Sequence, residues 1–134
     1  MDRYEFGNAH EDTLPYRGWL VGHFVDGSNF PIRHTNDVEI KWGVHPAGET
    51  REAWVRGEFR TCIVILVSGR FRIRFSERPE EQVVLERRGD YVMWGPGVDH
   101  RWTAEDDSVI IAVRWPSVEE QPTASAANAN GADI

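Results

Sequence analysis

Fifteen residues, "TCIVILVSGRFRIRF" (61–75), limit this chain more than any other stretch. In "GRFRIRF" the side chains of Phe71, Ile73 and Phe75 alternate with Arg70, Arg72 and Arg74. A period of two places the two sets on opposite faces of a strand and fits no helix. Just before it, "TCIVILV" is apolar on both faces and rich in β-branched residues, as a strand covered on both sides requires. The Ser-Gly of "VSGR" supplies a tight turn between them and predicts an antiparallel hairpin.

The same period continues through Trp19 and Val21, then through Val38, Ile40, Trp42 and Val44. Further short strands are predicted at 82–86, 91–94, 99–104 and 108–115. They are punctuated by Arg78-Pro79, Arg88-Gly89-Asp90, Gly95-Pro96-Gly97 and Asp106-Asp107. Many short strands with frequent turns and no convincing helix predict an all-β sandwich or barrel. At 134 residues the chain is sized for one domain. Residues 1–15 read as an N-terminal arm, 16–118 as the barrel, and the small polar run 119–134 as a disordered tail.

The net charge of −7 argues against a nucleic-acid or anionic-membrane partner, which would select clustered Lys and Arg. The longest aliphatic run, "IVILV", is far too short to span a bilayer, and "MDRYEFGNAHEDTLP" lacks the order of a signal peptide, so a cytoplasmic location is expected. Cys62 is the sole cysteine, so no intrachain disulfide is possible. Inside an apolar strand it reads as a small core residue.

The stretch "GDYVMWGPGVDHRW" (89–102) sets a glycine turn, a strand, a proline-glycine turn and then a histidine. It resembles the second conserved motif of the cupin superfamily, G-xxxxx-P-x-G-xx-H-xxx-N, with Gly89, Gly97 and His100 on the pattern. Gly95 stands at the proline position and Ala104 at the final asparagine. The first cupin motif, which supplies two histidines and a glutamate, is not matched. Counting from Gly48 places Trp54 and Arg56 at the histidine positions and Arg60 or Thr61 at the glutamate. Counting back from Gly69 places Cys62 at the glutamate, with Glu58 and Arg56, or Gly57 and Val55, before it.

The resemblance implies a single-domain cupin-like double-stranded β-helix, a jelly-roll barrel, whose lumen is the ligand site. It places His100 there as the acid–base group. Trp54 and Arg56 are then expected on one inward face, with Trp94 and Trp102 at the rim. That set suits a small polar or aromatic metabolite, because indole supplies apolar area and arginine grips planar anions. No cofactor and no metal are expected; were a metal present, its ligands would be His100, His45 and Glu58. Three functions are compatible with the fold: a metal-independent isomerase or lyase, a non-catalytic binding or sensing module, and a metal-dependent oxygenase or isomerase with atypical ligands. The strand 61–67 has a second apolar face that a barrel wall does not need. Its cover is expected to be a partner sheet in a homodimer or the N-terminal arm.

Overall fold

The computed structural model describes residues 4–56, 58–119 and 134. A one-turn helix, α1 (Ala9–Asp12), and a 3-10 turn (Leu14–Tyr16) precede eight strands. These are β1 (Trp19–Val21), β2 (Glu39–His45), β3 (Thr61–Ser68), β4 (Phe71–Phe75), β5 (Gln82–Leu85), β6 (Tyr91–Trp94), β7 (His100–Ala104) and β8 (Ser108–Trp115). They form two antiparallel sheets, one ordered β1-β2-β8-β3-β6 and one ordered β5-β4-β7. Residues 50–55 run along the free edge of β7, with bridges Thr50 to Thr103 and Val55 to His100.

The fold is an all-β jelly-roll barrel, and every strand expected from periodicity is present. One connection differs. β3 pairs with β6 and β8, whereas β4 pairs with β5 and β7, so 61–75 is not a hairpin. Alternation fixes which side chains share a face but carries no information on which strand lies alongside. The turn at Gly69 (φ 97°) instead carries the chain from one sheet to the other. A β-carbon on Gly69 would stand 2.3 Å from the Asp107 carbonyl oxygen, so both the backbone conformation and the close approach require glycine.

Both sheets point their buried faces at a common core. Cys62, Val64 and Leu66 of β3 meet Phe71 and Ile73 of β4, Trp102 and Ala104 of β7, and Ile110 and Ala112 of β8. The N-terminal arm is not wholly irregular, since it contains α1 and the 3-10 turn. The Glu5 carboxylate accepts the Ile32 and Arg33 amides at 2.7 and 3.2 Å, which holds the arm beside the 20–33 segment and away from the outer face of β3. Most of the expected tail lies outside the described residues. Ile134 is described, and it is only 2% exposed, packed in the core cluster rather than in solvent. No helix among the described residues is long and apolar enough to cross a membrane.

Candidate functional site

Inward-facing residues of β8 place Ser108 and Arg114 at the two ends of the lumen with Ile110 and Ala112 between, and beside them β2 turns Glu39, Lys41 and His45 inward. Glu39 and Arg114 are register partners on β2 and β8. The Arg114 Nε donates to Glu39 Oε1, and its Nη1 lies 3.4 Å from Glu58 Oε2. Arg60 Nη1 donates to both Glu58 oxygens at 2.9 and 3.2 Å, and its Nε lies 3.7 Å from Glu39 Oε2. Two carboxylates and two guanidiniums thus form one closed, almost fully buried cluster. Ser117 Oγ donates to Glu39 Oε2 at 2.9 Å and accepts the His23 amide at 2.8 Å. Burial lowers the pKa of His23 against the opposing pull of Glu39. On the far side of the cluster, the Arg114 guanidinium lies 4.3 Å over the Trp19 ring.

His100 opens β7, and its backbone is held on both sides. It pairs with Phe75 on β4, and its carbonyl accepts the Val55 amide at 2.7 Å. The turn before it depends on Gly97 (φ 84°), whose amide donates to the Glu58 carbonyl at 2.8 Å. The side chain is 0% exposed and packs against Trp94, with ring centroids 4.5 Å apart. Among the described residues neither ring nitrogen has a hydrogen-bond partner of ordinary geometry, and the Ile134 backbone approaches as a marginal one. Burial drives the imidazole pKa down to about 4. The Ile134 backbone and the Glu58 carboxylate pull the other way, and Arg51 and Arg114 add to the lowering. At neutral pH His100 is therefore an uncharged ring that can donate one hydrogen bond and accept one.

The other expected site residues divide. Trp94 and Trp102 are both buried in the lumen: Trp94 against His100, and Trp102 against His45 at 4.6 Å and Phe71 at 5.2 Å. Trp54 and Arg56 do not face inward. Val55, fully buried, occupies the inward position of that segment, so its two neighbours point outward. Arg56 is exposed, and Trp54 is half-buried beneath the Arg101 guanidinium, 4.7 Å from its ring. Cys62 is buried, and its thiol pKa is pushed up to about 12 by burial and then by Glu58, so it stays protonated core.

A metal ion in such a barrel needs three or more converging imidazole, thiolate or carboxylate donors. His100, His45 and Glu58 do not supply them. His45 Nδ1 lies 2.6 Å from Glu49, and Glu58 is engaged by two arginines. Among the described residues no group of three His, Cys, Asp or Glu side chains converges in this way. The donor set among the described residues does not fit a metal centre.

The residues missed by sequence reasoning are Glu39, Arg60 and Arg114. A signal for two of them existed. Arg114 is in phase with Ile110 and Ala112, and Glu39 with Lys41 and His45, so each shares the inward parity of its strand.

The cluster predicts a specific energetic pattern. Glu39→Leu leaves two buried guanidiniums facing one carboxylate and is expected to cost about 3–5 kcal/mol. Adding Arg114→Met restores charge balance through the Glu58–Arg60 pair, and most of the loss is expected to be recovered. Urea denaturation of the two variants checks this; a double variant no more stable than Glu39→Leu would show that the four charges do not act as a unit.

No family model matches the chain, and no curated protein matches it in sequence. Solved structures do resemble it. KdgF from Halomonas sp. aligns with a TM-score of 0.53 at 24% identity over 62% of this chain and 73% of that one. A cupin superfamily protein from Desulfitobacterium hafniense aligns at 0.52 and 15% identity, over 60% and 68% of the two chains. A mutant of salicylate 1,2-dioxygenase from Pseudoaminobacter salicylatoxidans aligns at 0.50 and 16% identity, over 59% of this chain but only 21% of that one. These likenesses, together with the two-sheet topology and the histidine that opens β7, give the architecture: the chain has the cupin fold.

Proposed function

We propose that the protein is a small-molecule-binding module whose ligand sits in the barrel lumen against His100, with no metal ion in the binding set. One observation carries this reading. His100 is fully buried, yet among the described residues neither ring nitrogen has a hydrogen-bond partner of ordinary geometry, the Ile134 backbone being only a marginal one. Leaving such a group unsatisfied costs about 1–3 kcal/mol, which a ligand offering one acceptor and one donor would offset. Trp94, 4.5 Å from the imidazole, adds a flat apolar wall. A planar ligand with a carbonyl or hydroxyl group fits both.

The charge balance also favours a polar ligand over a clamped anion. Arg56, expected as the clamp, lies outside, and Arg60 and Arg114 already face Glu39 and Glu58. The imidazole pKa of about 4 favours binding over catalysis. Proton transfer works best when the pKa of the catalytic group lies near the working pH, so isomerisation or elimination by His100 is the weaker reading. The ligand would share this part of the lumen with Ile134, whose side chain belongs to the same core cluster.

A thermal-shift series with small planar uncharged carbonyl and hydroxyl compounds, led by benzamide and 4-hydroxybenzamide, tests the site. A compound at a large excess over its Kd is expected to raise the Tm by several degrees, because it binds only the folded chain. That shift should vanish in His100→Phe, which fills the space without polar atoms, and shrink in His100→Gln. Equal shifts in all three proteins would remove His100 from the site.

We propose also that the outer face of the five-stranded sheet meets a second copy. Val44 is 47% exposed, Tyr91 62% and Met93 49%, and half-buried Trp42, Ile63, Ile65, Ile111 and Val113 continue the apolar surface between them. The N-terminal arm, the other expected cover, is tied to the 32–33 segment by Glu5 and borders this sheet at Trp42 and Val44 through His10, Thr13 and Leu14. An apolar sheet face of this kind is self-complementary and suits a two-fold dimer. Light scattering at micromolar concentration is expected to report twice the chain mass, and Met93→Glu to halve it. A wild-type monomer would contradict the proposal.

A further inference from the structure

The outer face of the three-stranded sheet gathers cations on a chain whose net charge is −7. Phe71 and Ile73 of β4 and Trp102 and Ala104 of β7 point inward, so Arg72, Arg74, Arg101 and Thr103 point outward. Register sets Arg74 directly opposite Arg101, and Arg72 opposite Thr103. Residues 50–52 run beside them along the edge of β7, where Thr50 Oγ1 comes within 2.8 Å of Thr103 Oγ1. Together with Arg51 they bound a groove of about 320 Å³.

Like charges directly opposite on antiparallel strands repel, so Arg74 facing Arg101 works against the sheet. Four guanidiniums line or border this groove, and the neighbouring acids are Glu52 and Glu105. Glu105 is taken by Arg72 at 2.5 Å. Arg74 makes no ion pair among the described residues. Arg101 is held in place by its neighbours: its guanidinium lies on the Trp54 ring at 4.7 Å, and its Nη1 donates to the Glu52 carbonyl at 3.1 Å. That leaves a guanidinium fixed in position with further N–H groups to offer, beside a second guanidinium and two threonine hydroxyls. Fixed, forked donors around a concavity match the geometry of a multivalent oxyanion. A solvated cationic stripe would need neither the concavity nor the stacked Arg101.

We propose that this groove binds a small multivalent oxyanion, a phosphate ester or a polycarboxylate, held between Arg74 and Arg101. The site lies on the opposite side of the sheet from the lumen and does not rest on the reading of His100. It also gives Trp54 a role, as the platform that positions Arg101.

The test uses the full chain, with inorganic pyrophosphate and citrate as probes and sodium chloride at matched ionic strength as the reference. At millimolar concentration at least one probe is expected to raise the Tm by several degrees more than the chloride reference. A shift with pyrophosphate alone identifies the phosphate class, and one with citrate alone the carboxylate class. Arg74→Gln and Arg101→Gln should each remove at least half of the shift. Arg70→Gln, which loses an exposed pair with Glu86 outside the groove, should keep it. Without added anion and at low salt, Arg74→Gln is expected to melt at or above the wild-type temperature because the repulsion is gone. No shift beyond the chloride reference, full shifts in the Arg74 and Arg101 variants, or a drop of several degrees in unliganded Arg74→Gln would each overturn the proposal.

Discussion

Four buried charges, Glu39, Glu58, Arg60 and Arg114, are the constraint around which one end of this barrel is arranged. Each would carry a desolvation penalty of several kcal/mol if left alone, so the cluster is tolerable only when complete. Completing it requires β2, β8, the entry to β3 and the 58–60 segment to meet at one place. It therefore fixes registers as well as charges. The Glu58 backbone also accepts the Gly97 amide, which ties the cluster to the turn that delivers His100.

The cluster accounts for the environment of His100. The Glu39 and Glu58 carboxylates are committed to arginines, and the imidazole is left against Trp94. A histidine surrounded in this way loses its charge before it loses its burial. Cys62 responds to the same surroundings by holding its proton. His100 and Cys62 are thus both neutral at physiological pH. What His100 offers the lumen is hydrogen bonding and stacking, while a second group of cations lies outside, on β4 and β7.

Much of this fold was legible because strands advertise a period of two. All eight strands fall where alternation or a short apolar run placed them, and Gly97 and His100 fall where a turn and a motif placed them. What failed was information that alternation lacks. It could not show that Gly69 crosses between sheets, since pairing depends on contacts distant in sequence. It could not set the parity of 50–56, a segment held by two isolated bridges rather than a full ladder, and so Val55 rather than Trp54 and Arg56 enters the barrel. Ile134 was assigned to a tail on composition, although one isoleucine suffices to enter a core when its surroundings are apolar. The inward phase of Arg114 was readable, but charged residues are so often on the surface that only its partner Glu39, 75 residues away, explains its burial.

The central proposal is that His100 stands uncharged in a dry lumen, where its ring can hydrogen-bond a ligand. Nitrogen-detected NMR of the imidazole, followed from pH 7.5 to pH 3.5, tests it most directly. The account predicts a neutral ring at pH 6 and a midpoint near 4. Because this folded-state pKa lies below the unfolded value of about 6.5, the contribution of the neutral ring to stability is complete above pH 6.5 and is lost as the pH falls towards 4. The same titration would then run into increasing instability at its acid end. A midpoint near 6.5 with no loss of stability would contradict the account, because it would mean that His100 is solvated and that the lumen is neither dry nor short of hydrogen-bond partners.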